Sequence, residues 1–398
     1  MQLDRTRRQN FFIILILGVL NALTPFTIDL YLPAFPQIAH DLNVTVERVS
    51  LTVSMYFIGF ALGQILYGPL LDRFGRKRPI YIGVSIYLLA TLGCMTSHSI
   101  EALLFFRLLS ALGGCVASVS TTAMVRDYFA PAEGAKVFSM LMLVLSASPL
   151  LAPTVGGFII AFANWRVIFA VLFGLALIDL ILVRFFLPTA YKPDPTISLK
   201  AKPILRNFMN VLKVRQFTVY TLAGSFSFAG LFVYVAGSPA IFMDTYHVSA
   251  QTYGLIFAIL GVGMIGGGQL NLLLMRKYSN RQIFKAALLV QTVTAAIFFV
   301  GTITTGFAMV PTIAFLFVIL SCAGISFPNA ASLSLEPFTT NIGSASSLLG
   351  FLQLSAGSIL SAAIGMFDIK GTLPTASVIA FSSLVAMGIV RLDRPKQN

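Results

Sequence analysis

The chain has 398 residues, 57% of them apolar and only 10% charged, where soluble domains average about 45–50% apolar and about 25% charged. That balance excludes a secreted, nucleic-acid-binding or cytosolic soluble fold, and it supplies enough apolar residues for twelve spans of about 20 residues each. The net charge of +13 therefore reads first as a topology signal rather than as attraction to an acidic partner.

Apolar stretches between charges and turn signals predict transmembrane helices near 11–33, 49–71, 79–97, 101–124, 137–161, 167–187, 216–240, 252–275, 282–304, 308–332, 344–367 and 374–390. The expected fold class is an all-α polytopic membrane protein. The first stretch follows a short basic tail, contains Asn21, Pro25, Thr27 and Asp29, and lacks a small-residue cleavage site, so it reads as a retained helix. With the N-terminus inside, only Arg48, Arg166 and Lys370 fall outside and Arg107 within a span, while every other Lys and Arg of the 27 falls inside. Both termini are then cytoplasmic, and the cations also favour anionic lipid headgroups.

The long polar stretch 188–215 divides the chain into a half of six spans at 1–187 and another at 216–398. Within it Ile204, Phe208 and Leu212 recur at helical spacing beside basic residues. This suits either a helix lying on the inner leaflet or a plain linker. Two six-span halves suit a carrier that rocks one half against the other. Sliding the sequence by 203 residues sets Arg73 on Arg276 and Arg78 on Arg281, a faint trace of duplication. Cys94, Cys115 and Cys322 fall within spans without metal spacing and read as small buried apolar residues. His40, His98 and His247 all map to outer loops or span ends, so no histidine is available for a midmembrane proton relay.

Four segments carry chemistry. Span one ends Thr24-Pro25-Phe26-Thr27-Ile28-Asp29-Leu30-Tyr31-Leu32-Pro33-Ala34-Phe35-Pro36. A carboxylate in a span costs roughly 2.5–3.5 kcal/mol on insertion scales. Asp29 is therefore the first candidate for proton and substrate coupling, with snorkelling or helix capping as the plainer alternative. The loop after span two reads Gly68-Pro69-Leu70-Leu71-Asp72-Arg73-Phe74-Gly75-Arg76-Lys77-Arg78. An acid beside clustered cations, with Gly75 allowing a tight reversal, suits charge pairs that lock and release the helix ends. Arg107 is the one cation inside a predicted span, in Arg107-Leu108-Leu109-Ser110-Ala111-Leu112-Gly113-Gly114. It either pairs with Asp29 or is a structural arginine bonded to backbone carbonyls. Span five carries Pro149, Pro153, Gly156 and Gly157. The prolines kink the helix and the glycines admit a close partner.

Asp179 in span six either faces a cavity as a second acid or pairs with Arg184, the latter being favoured. Polar or aromatic residues in otherwise apolar spans, Asn21, Thr24, Tyr56, Gln64, Tyr234, Gln269, Gln291, Asn329 and Gln353, are the remaining cavity candidates, most of them expected to serve helix packing.

The loop segment resembles the G-x-L-x-D-R/K-x-G-R-K/R signature of the major facilitator superfamily. The span-five segment is similar to the antiporter motif of that superfamily's drug exporters, with Ala152 in place of the first glycine. Arg107 stands as in its R-x-x-Q-G-x-G motif, with Ser110 and Ala111 replacing Gln and Gly. The span-one segment resembles P-x-x-D-x-Y-L-P-A-x-P of the Bcr/CflA group of drug:proton antiporters, and Asn164-Trp165-Arg166 and Ser238-Pro239 agree with it. The resemblance implies the major facilitator fold in a bacterial inner membrane. It also implies export of bicyclomycin- or chloramphenicol-like molecules in exchange for protons by alternating access. On this reading the chain is not an enzyme, carries no catalytic residue, cofactor or metal, and works as a monomer among lipids with drugs and protons as its partners and without nucleic acid. The rival reading within carriers is a proton symporter for a sugar or metabolite; a polytopic membrane enzyme or a channel fits the residues less well.

Overall fold

The computed structural model describes residues 7–129, 131–188, 193, 201–338, 342–366 and 371–392. Among these residues every regular element is helical. In chain order the long helices are α1 (Arg7–Asp29), α3 (Val46–Phe74), α4 (Lys77–Met95), α5 (Ile100–Tyr128), α6 (Pro131–Phe162), α7 (Arg166–Phe185), α9 (Arg215–Pro239), α10 (Ala250–Leu274), α11 (Asn280–Thr304), α12 (Met309–Leu335), α13 (Ile342–Met366) and α14 (Leu373–Arg391). Two shorter ones are α2 (Phe35–Asp41) and α8 (Ala201–Leu212). Eleven helices in the described residues are long and apolar enough to cross a membrane, and Ala147–Phe162 of α6 is a shorter apolar helix. The chain is thus a multi-pass membrane protein.

Local chemistry sets the helix ends. The hydroxyls of Thr45, Ser99, Ser249 and Ser279 accept from the backbone N–H three residues on and so start α3, α5, α10 and α11, satisfying donors that a helix N-terminus leaves open. Gly75 ends α3 at φ 80°, a conformation L side chains rarely adopt.

Helices α1 and α3–α7 pack on one another, as do α9–α14, and two long seams join the groups: α3 against α13 and α6 against α10. Both seams depend on close approach. A Cβ at Gly156 would collide with the Leu30 carbonyl, and one at Gly157 would lie 2.7 Å from the Ala250 carbonyl. Gly254 meets Thr154 and the Pro153 carbonyl in the same way, and Gly261 faces Pro149 and Leu150. Pro149, Pro153 and Gly157 of span five therefore build the α6/α10 seam, while Gly156 holds α6 to the Leu30 turn within the first group. Along α3/α13, Ser54 and Ser361 share a 2.9 Å hydrogen bond, and Gly365 lies against Leu51 and the Glu47 carbonyl. Both seams are shut at the end of the bundle that carries Asp29, opposite the end that carries Gly75.

Within the stretch 188–215 helix α8 forms, and Phe208, Val211 and Leu212 pack on Phe217, Ala345 and Leu348, so this stripe covers protein. Leu205 and Met209 are the exposed apolar pair. Of the stretch between α7 and α8, residues 189–192 and 194–200 lie outside the described residues, as do Lys370, Arg394 and Lys396.

Because the Gly156 approach leaves no room for a methyl group, Gly156→Ala is expected to destabilise the protein by about 1–3 kcal/mol, read as a lowered midpoint of thermal unfolding in detergent. Gly174→Ala, where a Cβ meets nothing, is expected to leave the midpoint unchanged.

Candidate functional site

The first helix breaks where the chemistry concentrates. Pro25 lies inside α1 and cannot donate to the preceding turn; four residues later the helix ends at Asp29, followed by a 3-10 turn at Leu32–Ala34. The Leu30 N–H reaches the Phe26 carbonyl at 3.0 Å. The next carbonyl, that of Thr27, accepts instead from the Arg107 guanidinium at 3.2 Å. A cation at the last carbonyls of a helix offsets its dipole and satisfies an open acceptor.

Arg107 is 1% exposed. Its guanidinium carbon lies 4.2 Å from the Tyr31 ring centroid and 4.5 Å from that of Tyr56, a cation held between two aromatic faces. It is brought there by α5, which packs tightly on α3 and α4 through glycines: a Cβ at Gly59 would strike the Leu108 carbonyl, and one at Gly113 would lie 2.6 Å from the Gly83 carbonyl. Tyr31 bonds Thr52 at 2.7 Å, and Thr27 bonds Tyr87 at 2.7 Å. Of the two alternatives for Arg107 the geometry contains the carbonyl-bonded one, and an ion pair with Asp29 is absent among the salt bridges of the described residues. The helix-end carbonyl and the tyrosine faces take up the guanidinium.

Asp29 is 5% exposed and lies within electrostatic range of Tyr234 on α9 and Tyr253 on α10. The acid of the first helix group therefore faces aromatic hydroxyls of the second. The Tyr253 and Ser238 hydroxyls are 2.8 Å apart, which uses the Ser238-Pro239 segment. The Tyr56 and Tyr234 hydroxyls, the Thr24 hydroxyl and the Arg107 Nε are all buried without a hydrogen-bond partner. Buried polar atoms are nearly always paired, and the groups closest to three of these are Thr27 for Tyr56, Ser238 for Tyr234 and Tyr31 for Arg107.

Beside this cluster a crevice of about 420 Å³ runs along one face of α1 from Phe11 to Phe26, walled also by Val144 and Leu175. Its volume falls within the range of small-molecule sites, about 300–1,000 Å³. None of the nine polar or aromatic cavity candidates lines it, because several are spent elsewhere. Asn21 donates to the Leu141 carbonyl at 3.1 Å, and Asn329 donates to Asn271 at 2.6 Å; these join α1 to α6 and α12 to α10. Gln291 bonds Ser227 across α11 and α9. Gln269 is exposed on α10, and Gln353 lines a separate small cavity with Tyr220 and Ser225. Tyr234 lies near the acid and Tyr56 against the Arg107 guanidinium.

Asp179 does not pair with Arg184, which corrects the favoured expectation. Five residues on a helix turn about 140°, and Arg184 points out of the bundle while Asp179 is fully buried.

At the opposite end the loop motif acts through a partner the sequence reading missed. Arg76 Nε donates to Asp127 at 2.6 Å and Nη1 to Asp72 at 2.8 Å, tying the ends of α3 and α5. Burial works against the Arg76 charge, yet the bonds to Asp127 and Asp72 outweigh it and hold the guanidinium above its usual value. Arg73 lies 5.8 Å from the Phe74 ring, Lys77 opens α4, and Gly68 has open space around it. The signal for Asp127 was available: an acid at the end of a span, on the side of the basic loop. Asn164-Trp165-Arg166 serves the Asp29 end similarly, Trp165 donating to Asp41 at 2.9 Å and Arg166 to the Met95 and Ser97 carbonyls.

Arg76 is nearly enclosed, with Asp127 12% and Asp72 43% exposed. Asp127→Asn is therefore expected to cost about 3 kcal/mol, as for a broken buried pair, and Asp72→Asn about 0–1 kcal/mol. Chemical unfolding of the two variants checks the order; equal losses would contradict the assignment.

The Major Facilitator Superfamily profile matches residues 17–362. An uncharacterized MFS-type transporter, YdgK of Bacillus subtilis, is 30% identical over 99% of this chain and 98% of its own length. A bicyclomycin resistance protein homolog of Haemophilus influenzae is 31% identical over 92% of each chain. The crystal structure of a D-xylose-proton symporter superposes with a TM-score of 0.74 at 16% identity, covering 94% of this chain and 97% of that one, which shows the fold alone. The relatives' names agree with the Bcr/CflA resemblance, and with a profile match across most of its length the chain belongs to the major facilitator superfamily of membrane transporters.

Proposed function

We propose that the protein is a proton-coupled exporter of drug-like small molecules in a bacterial inner membrane. It crosses the membrane twelve times with both termini in the cytoplasm, and residues 1–187 and 216–398 form two six-helix halves joined by 188–215. The observation that carries this reading is the placement of Asp29: a carboxylate without an ion-pair partner among the described residues, at the broken end of α1, within electrostatic range of Tyr234 and Tyr253 across the junction of the two helix groups. An acid at that junction responds to both proton and substrate, because each changes its charge or its solvation.

Ionised Asp29, open to the cytoplasm, accepts substrate beside the apolar wall of α1. The halves then rock about the α3/α13 and α6/α10 seams, and protonation of Asp29 from the outside favours release. A ligand shifts such an equilibrium only by its differential affinity for the two states, so proton and drug compete for one form of the acid. The contact of Gly157 with Ala250 supports this by sealing the outer end while the inner end is loaded, and the pairs of Arg76 with Asp127 and Asp72 keep the first half rigid as it moves. The resistance-named relatives support a drug-like substrate; sugar transport has no observation of its own beyond a shared fold.

The test is drug-evoked proton movement in everted vesicles. Wild-type protein is expected to move protons on addition of a transported dye, and Asp29→Asn, present at equal level, to move none. Accumulation of dye by Asp29→Asn against its gradient under a pH gradient would show that the coupling acid lies elsewhere.

A further inference from the structure

Asp179 lies apart from the site just described. It is 0% exposed, and neither carboxylate oxygen has a hydrogen-bond partner. The residue stands on the stripe Phe169, Leu172, Ala176, Asp179 and Val183, the buried face of α7, which packs chiefly on α4 and also on α1. Ten residues separate it from Phe169, whose ring lies 6.0 Å from the Arg107 guanidinium; at the helical rise this puts it about 15 Å from the arginine cage.

Among the described side chains of the surrounding elements no charge compensates it. On α4, Lys77, Arg78 and Tyr81 stand toward the Gly75 end, while Tyr87 and Cys94 stand toward the arginine cage, and the Tyr87 hydroxyl is bonded to Thr27. On α1 the ionisable side chain within the described burial is Asp29, at the arginine end; α6 contributes Glu133 at its start, on the Gly75 end. Arg184 faces outward and lies in the electrostatic range of Lys77 instead. A dry, unpaired carboxylate ion costs several kcal/mol, whereas the neutral acid costs only an unmade hydrogen bond, about 1–3 kcal/mol.

We propose that Asp179 is a second proton-binding site, holding a proton as a neutral carboxylic acid while α7 is packed on α1 and α4 as here. When that packing opens to water, the O–H bond breaks, the proton passes to water and the carboxylate keeps the electron pair. The exporter then carries two separated protonation sites, one at the junction of the halves and one within the first half. This extends the coupling reading above, but the occupied site itself does not depend on it.

Infrared difference spectroscopy of the protein in lipid vesicles at neutral pH tests the proposal without transport. The wild-type spectrum is expected to contain a carboxylic-acid C=O band that shifts on slow exchange into deuterated water. Asp179→Asn is expected to lose one component of that band, and Asp29→Asn to retain the same component. Absence of an acid band in the wild type, or an unchanged band in a folded Asp179→Asn protein, would overturn the assignment. Because the wild-type arm stands even where the variant fails to fold, and because Asp29→Asn is scored on its spectrum, failure here is separable from failure of the Asp29 transport assay.

Discussion

The bond from Arg107 to the Thr27 carbonyl is the contact on which the rest of the site depends. A helix that ends inside a bilayer leaves carbonyls with no water to accept from, and each unsatisfied group there costs several kcal/mol. Asp29 can lie at such an end because Arg107 takes the open carbonyl while its charge is held between Tyr31 and Tyr56. Those rings are held in turn, Tyr31 by Thr52 and by the aromatic face of Phe169. The arginine therefore positions the acid without neutralising it. An Asp29–Arg107 ion pair would have fixed the carboxylate in one state, whereas a carbonyl-bound arginine leaves it free to answer a proton or a substrate.

At the same end of the bundle Gly156 abuts the Leu30 carbonyl, one residue from Asp29, a contact within the first helix group, while the adjacent Gly157 meets Ala250 of the second. Helix α10 also touches the Leu32–Ala34 turn, so the acid lies beside the α6/α10 seam, and separation of α10 from α6 and this turn would bring water toward Asp29. At the far end Arg76 binds α3 to α5 through Asp72 and Asp127. These contacts lie within the first helix group, so they stiffen it as a body rather than bridging to the second.

The sequence made the class and the motifs legible because membrane composition and short, geometry-demanding segments leave local traces. Asp29, Gly75, Gly156 and Gly157 were each identified by a constraint that acts over a few residues, and the structure uses each of them closely. Partners were less legible. Asp127 and Tyr253 lie far along the chain from the residues they face, and the period of a helix does not say which neighbour it meets. Of the polar cavity candidates, most of which were expected to serve helix packing, Asn21, Asn329 and Gln291 make helix-to-helix bonds; which partner each takes was not legible, since a buried amide satisfies itself on whatever backbone or amide is nearest. The apolar crevice along α1 had no signal at all, its walls being the same Leu, Ile, Val and Phe that elsewhere face lipid. Asp179 and Arg184 show the converse: closeness in sequence suggested a pair that the 140° turn between them forbids.

The claim at the centre of this account is that proton and drug compete for one carboxylate, Asp29. The most direct measurement is the equilibrium affinity of the purified protein for a transported dye as a function of pH. If binding requires the ionised acid, one proton is displaced per dye, and affinity falls by about tenfold per unit as pH drops below the range in which Asp29 ionises. In Asp29→Asn that dependence should vanish. A wild-type affinity independent of pH, or an unchanged slope in Asp29→Asn, would contradict the account.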